Sequence, residues 1–181
     1  MSLLLNPDRS VVLLIDLQIK LMPAIDKGSA VMNQSLRLGK MARALDIPVV
    51  ATEHCGNRIG ALEPDILTVT DQVVEKRHFD ACESQGLFAA LPQGRDQVVV
   101  AGVEAHVCVF QTVISLMERG SHVTVMVDAV GSRRPLDRDI AVASMARADA
   151  RLGTVEQAGF EWLGDADHAR FKDVLALIKN G

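Results

Sequence analysis

Residues 10–16, SVVLLID, run through five aliphatic side chains with no polar one between them, then stop on an acid. A strand with one face in water would alternate apolar and polar residues. An unbroken run of this length reads instead as a strand buried on both faces, as in a parallel sheet covered by helices. The rest of the chain therefore has to supply helices for two faces.

It does so in alternation. A helical pattern over residues 30–45 leads to a second strand, IPVVATE, whose proline sits at a tolerated strand start. Residues 53–66, EHCGNRIGALEPDI, carry Gly56, Gly60 and Pro64 with little periodicity, and read as a loop long enough to be functional. DQVVEK reads as a third strand, CESQGLFAAL as a short helix and DQVVVAG as a fourth strand. A helix over residues 107–119 follows, stopped by Gly120. HVTVMVDAV is the fifth strand, LDRDIAVASMARAD a crossover helix and residues 153–155 a short sixth strand. EQAGFEWLG and ARFKDVLALIK close the chain as helices. Strands alternating with helices imply βαβ units with right-handed crossovers, and so a three-layer α/β domain. In such sheets ligands sit beyond the carboxyl ends of the strands.

Length and composition bound the rest. The 181 residues fit one domain, with no repeat or linker. Hydrophobic residues make up 49% but aromatics only 3%, with no tyrosine, so the core is aliphatic and a base-stacking surface is not expected. The net charge is -4, and Lys and Arg are scattered apart from Arg133–Arg134, so there is no basic stripe for a phosphate backbone. The expected partner is a small molecule, not nucleic acid. Three cysteines without paired spacing suggest reduced thiols. The start, MSLLLNPDRS, lacks the basic and long apolar regions of a signal peptide. No run approaches the ~18 apolar residues of a membrane span. A cytoplasmic protein without membrane contact is expected.

Three residues stand at strand ends. Asp16 ends the first strand, where an acid is costly to bury unless paired. Lys76 ends the third strand, and Cys108 follows the fourth. Together they suit thiol chemistry: a helix N-terminus and a lysine favour the thiolate, and Asp16 serves as general base. The turn GVEAHVC can aim backbone N–H groups at an oxyanion. Each also has an ordinary reading: Cys108 as a packing thiol, Asp16 as a turn cap, Lys76 as a solvated surface charge.

The segments VVLLIDLQ, VVATEH with IGALEPDI, VVEKRHFDAC, VVVAGVEAHVCVFQTV and DAVGSRRPLDRDIA resemble the isochorismatase-like cysteine hydrolases over nearly the whole chain, in the same order. The likeness is greatest to the isochorismatase domain-containing subgroup, which FEWLGDADHARFKDVLALIK also matches. The resemblance implies a doubly wound, Rossmann-like six-stranded parallel sheet with helices on both faces. It implies an Asp–Lys–Cys triad falling on Asp16, Lys76 and Cys108. It implies a cis peptide at Val103–Glu104 and an oxyanion hole from the backbone N–H groups of Glu104 and Cys108. Gln18 and Phe79 become substrate-pocket walls, and assembly as a homo-oligomer is implied as well.

The departures carry information too. The nicotinamidase branch has an Asp-x-His metal motif after its second strand, where this chain has Thr52-Glu53-His54, so no metal and no cofactor are expected. True isochorismatases cleave a vinyl ether, whereas Cys108 points to acyl transfer through a thioester. The side chain of Glu104 says little, because a backbone donor does not depend on it. Cys82 reads as a packing residue, and Cys55 as a loop thiol open to oxidation if it borders the pocket. The expected activity is metal-independent amidase chemistry on a small amide or related carbonyl compound. A metal-dependent nicotinamidase-type amidase and a redox or binding protein on the same fold are its rivals.

Overall fold

A computed structural model describes residues 4–179. The first three residues of the stretch read above for a leader lie outside the described residues. Six strands, β1 (Ser10–Ile15), β2 (Val49–His54), β3 (Gln72–Lys76), β4 (Gln97–Val103), β5 (His122–Gly131) and β6 (Arg151–Gly153), form one parallel sheet in the order β3-β2-β1-β4-β5-β6. The order reverses direction between β1 and β4, which is where a doubly wound sheet opens its crevice.

The unbroken apolar run in β1 is explained by its position. Val12 and Leu14 point into one core, with Val31, Leu38 and Met41 of α1 (Gly28–Ala44) and Trp162 of α7 (Val155–Leu163). Val11, Leu13 and Ile15 point into the other, with Leu116 of α5 (Phe110–Glu118) and Met145 of α6 (Pro135–Arg147). Period-two alternation thus feeds two cores at once, and each fully buried aliphatic side chain stabilises by about 1.5–3 kcal/mol. Trp162 is fully buried and its indole N–H donates to Ser10 Oγ at 3.0 Å, while Phe160 remains exposed. Val174 of α8 (Phe171–Lys179) extends the first core. No described helix is long and apolar enough to cross a membrane.

Several local expectations shift. The stretch 53–66 contains two helical turns, α2 (Gly56–Ile59) and α3 (Pro64–Leu67), the second with its proline in the first turn. CESQGLFAAL is not one helix: a 3₁₀ turn, Ala81–Glu83, is followed by an extended Ser84 and then α4 (Gln85–Ala90). The sixth strand lies at Arg151–Gly153, two residues earlier than expected. Thr154 accepts the Gln157 N–H as an N-cap, and the Asp128 carboxylate takes the Val155 N–H, so β-branched Val155 begins a helix. The helix expected over residues 107–119 is a single π turn, Ala105–Val109, leading into α5. Such turns recur at functional sites.

Gly102 decides how β4 meets β1. It has φ +127°, and a Cβ there would lie 2.1 Å from the Ile15 carbonyl oxygen. That neighbour is backbone and cannot swing away, so only glycine lets β4 lie against the end of β1. The β4–β5 register also shifts between Val100 and Gly102.

Candidate active site

Asp16 is the first residue past β1 and adopts φ 53°, in the left-handed region that aspartate tolerates better than most side chains. Its carboxylate is buried. Oδ1 accepts a hydrogen bond from Thr52 Oγ1 at 2.6 Å, and Oδ2 accepts one from Lys76 Nζ at 2.7 Å. Lys76 ends β3, two strands away from β1. Neighbouring strands are spaced about 4.8 Å apart, so the gap to be bridged is about 10 Å, which suits a long lysine stem. The ammonium also donates to the carbonyls of His78 and Phe79, each at 3.3 Å. The side chains of the ion pair are 0% and 1% exposed.

Cys108 lies in the π turn after β4, buried and within reach of the charges of Asp16 and Lys76. The three strand-end residues therefore meet at one point beside the reversal of strand order. Burial pushes the Cys108 thiol up to about 12, and the Asp16 charge adds to this while Lys76 opposes it. Desolvation outweighs the lysine in this balance, so burial disfavours the thiolate that the lysine and the helix start would favour, and a base is needed to take the proton.

The peptide Val103–Glu104 is cis. The Glu104 side chain also has a role that sequence reasoning overlooked. Its Oε2 accepts from the backbone N–H of Arg133 at 3.1 Å and from Arg133 Nε at 2.9 Å. Two residues on, His106 Nδ1 lies 3.0 Å from Ser132 Oγ. The turn that carries Cys108 is thus fastened to the β5–α6 connection on both sides. The adjacent pair Arg133–Arg134 was the only trace of this in the sequence.

Of the two expected wall residues, Phe79 is 52% exposed and stacks on His54 at 5.4 Å between ring centroids. Gln18 is fully buried. Its amide nitrogen donates to the carbonyls of His54 and Gly60, and its oxygen accepts from the His54 N–H at 2.9 Å. These bonds tie the chain after β1 to the end of β2 and to Gly60. Cys82 is buried, weakly bonded to the Thr112 carbonyl and pushed up to about 12, chiefly by burial, as suits a packing thiol. Cys55 is half-buried and borders a cleft of about 810 Å³. That cleft is lined by Glu53, Glu75, Lys76, Arg77 and His78 among others, but not by Asp16 or Cys108, so it lies to the side of the thiol.

His54 ends β2, rather than sitting in the loop. Its ring is pushed below the ordinary histidine range, first by burial and then by the Lys76 charge, with Asp16 and the His78 backbone acting the other way. The unfolded chain then binds a proton that the folded chain refuses. The stability this contributes is present above the ordinary value near ~6.5 and is lost as pH falls through it. Between about pH 7.5 and about pH 5.5 the melting temperature of the wild type should fall more steeply than that of His54→Gln. Equal slopes in thermal denaturation would show that the folded ring titrates as it does in the unfolded chain.

The residues do not fit a metal centre of the nicotinamidase kind. Thr52 stands where that branch has aspartate, and its hydroxyl is donated to Asp16. Among the described residues no group of three or more His, Cys, Asp or Glu side chains is placed to hold a metal ion.

Comparison with known proteins places this chain in a family. A family model described as Isochorismatase domain matches residues 10–157. Isochorismatase domain-containing protein 2A of Mus musculus is 33% identical over 179 residues, covering 96% of this chain and 84% of the relative. A solved structure described as the MAR1 ribonuclease from Caenorhabditis elegans superposes with a TM-score of 0.90 at 34% identity, covering 98% of this chain and 93% of the other. YcaC from Pseudomonas aeruginosa, solved with hexane-2,5-diol and covalent acrylamide, superposes with a TM-score of 0.89 at 27% identity, covering 96% and 91%.

Proposed function

This chain belongs to the isochorismatase domain family, and from that premise we propose that it is a metal-independent cysteine hydrolase acting on a small amide or related carbonyl compound. The observation that carries the proposal is the buried Lys76–Asp16 pair at the strand ends, hydrogen-bonded at 2.7 Å with its charges felt by the Cys108 thiol. A buried acid and base are costly to hold, and a carboxylate aimed at a thiol proton is the arrangement a covalent hydrolase needs.

The chemistry starts from a thiol that burial disfavours as thiolate. Cys108 Sγ attacks the carbonyl carbon as its proton passes to Asp16. The carbonyl π electrons move to oxygen, where the backbone N–H groups of Glu104 and Cys108 receive the developing charge. Collapse breaks the C–N bond, and Asp16 returns the proton to the departing amine. Water then attacks the thioester, giving its proton to Asp16. The C–S bond breaks, the acid leaves and Cys108 regains its proton. Lys76 stays charged throughout and balances whichever neighbour is negative. Because burial disfavours a free thiolate, the proposal couples attack to proton transfer onto Asp16.

The covalent acrylamide on the Pseudomonas YcaC supports a reactive nucleophile on this fold. The Caenorhabditis neighbour, described as a ribonuclease, raises RNA cleavage as a second reading. The net charge of -4 and the scattered Lys and Arg weigh against it. The test is to incubate the protein with a panel of small amides, with acrylamide and with single-stranded RNA, following intact mass and products. A mass gain at Cys108 with released acid supports the hydrolase. RNA cleavage that survives Cys108→Ala, with no amide product, would overturn it. Self-association belongs to the proposal as well, supported by exposed Leu136 and Ile140 one turn apart on α6, and native mass spectra of the same samples report it.

A further inference from the structure

We propose that Thr52 is a positioning residue of this site: its hydroxyl locks the Asp16 carboxylate in the orientation from which it takes the Cys108 proton. The inference rests on the reading of Asp16 as the base.

Thr52 is fully buried on β2, opposite Ile15 in the β1–β2 register. It meets Asp16 twice. Its hydroxyl donates to Oδ1 at 2.6 Å, and its carbonyl accepts the Asp16 backbone N–H at 3.2 Å. The two bonds clamp residue 16 at both ends, where the chain has just turned into the left-handed region. With Oδ1 on Thr52 and Oδ2 on Lys76, the carboxylate cannot spin about its own axis, so the edge it offers Cys108 is set. A β-branched side chain in a strand has few rotamers, so the hydroxyl is already placed before the carboxylate arrives. At the strand position where the nicotinamidase branch keeps a metal-binding aspartate, this chain puts a neutral donor serving the base.

The charged and titratable groups facing Asp16 are Lys76 from β3, Cys108 from the π turn and His54 from β2. Replacing Thr52 by valine alters none of them and keeps the side-chain shape. It removes the hydrogen bond that fixes Oδ1, so the carboxylate is free to turn away from Cys108.

The experiment follows the rate of acrylamide addition to Cys108 by intact mass and peptide mapping as a function of pH. It compares wild type, Thr52→Val and Thr52→Ser, with Cys108→Ala as the control and melting curves for every variant. Across the profile the rate of addition should fall by roughly tenfold or more in Thr52→Val, and return close to wild type in Thr52→Ser. A purely structural threonine would change the melting temperature without lowering the rate of the folded variant. Superimposed profiles for folded Thr52→Val and wild type would overturn the proposal. If Thr52→Val does not fold, Thr52→Ala is read against Thr52→Ser in the same way. Failure of wild type to add acrylamide at Cys108 is a separate result, which removes the nucleophile reading and this inference together.

Discussion

Cys108→Ala should lose hydrolysis of any amide that the wild type turns over, by about 10⁴-fold or more, because the covalent route disappears with the nucleophile. The fold should remain. Cys108 is 7% exposed and packs in the core beneath α5 and α6, and deleting one sulfur from such a site costs only about 1 kcal/mol. Activity and stability thus separate by magnitude, and a melting curve beside the kinetics shows the separation. Cys108→Ser sharpens the result. It keeps the size and a hydroxyl proton for Asp16 but offers a much poorer nucleophile, so it too should fall far below wild type. Turnover by Cys108→Ala within tenfold of wild type would end the thioester mechanism and leave a packing thiol beside a buried ion pair.

The second large effect concerns stability. Lys76→Met should destabilise the protein by about 3–5 kcal/mol near neutral pH, since it leaves the Asp16 carboxylate buried without its cation. Thr52 alone cannot compensate, because it supplies one neutral hydrogen bond where a full charge is missing. Asp16→Asn combined with Lys76→Met should recover much of the loss, because no unpaired charge then remains. Denaturant titrations of both single variants and the double variant measure the coupling directly. A loss below about 1 kcal/mol in Lys76→Met would mean that water reaches the pair and that the site is not the dry one described.

The ordering of these effects depends on two distances along the sheet. Asp16 and Cys108 extend from neighbouring strands, β1 and β4, so their approach is a local consequence of register. Lys76 comes from two strands away and reaches them only through its length. Gly102 lets the first pair approach, and the carbonyls of His78 and Phe79 steady the lysine. Each device is a different kind of contact, which is why the corresponding variants should fail in different ways.

Much of this could be read from local pattern. The run SVVLLID marks a strand buried on both faces because side-chain period and burial are properties of a few adjacent residues, and Asp16, Lys76 and Cys108 stand out because they end or follow such runs. The alternation of strands and helices, the three layers and the position of the crevice follow from the same patterns with general rules of topology. What local pattern did not carry was decided by contacts distant in sequence. The sixth strand slid because the Asp128 carboxylate, 27 residues away, claimed the Val155 N–H. The Glu104 side chain found its use in Arg133, 29 residues on, and Thr52 found its use in Asp16, 36 residues back. The Cys108 thiol is pushed up chiefly by burial, which depends on how much water the assembled layers remove, and no stretch of residues around Cys108 contains that quantity. Sequence alone settled which chemical groups stand at the strand ends. Strand order and desolvation, which exist only once the sheet is covered on both faces, settled which of those groups come together and how far burial weighs on them.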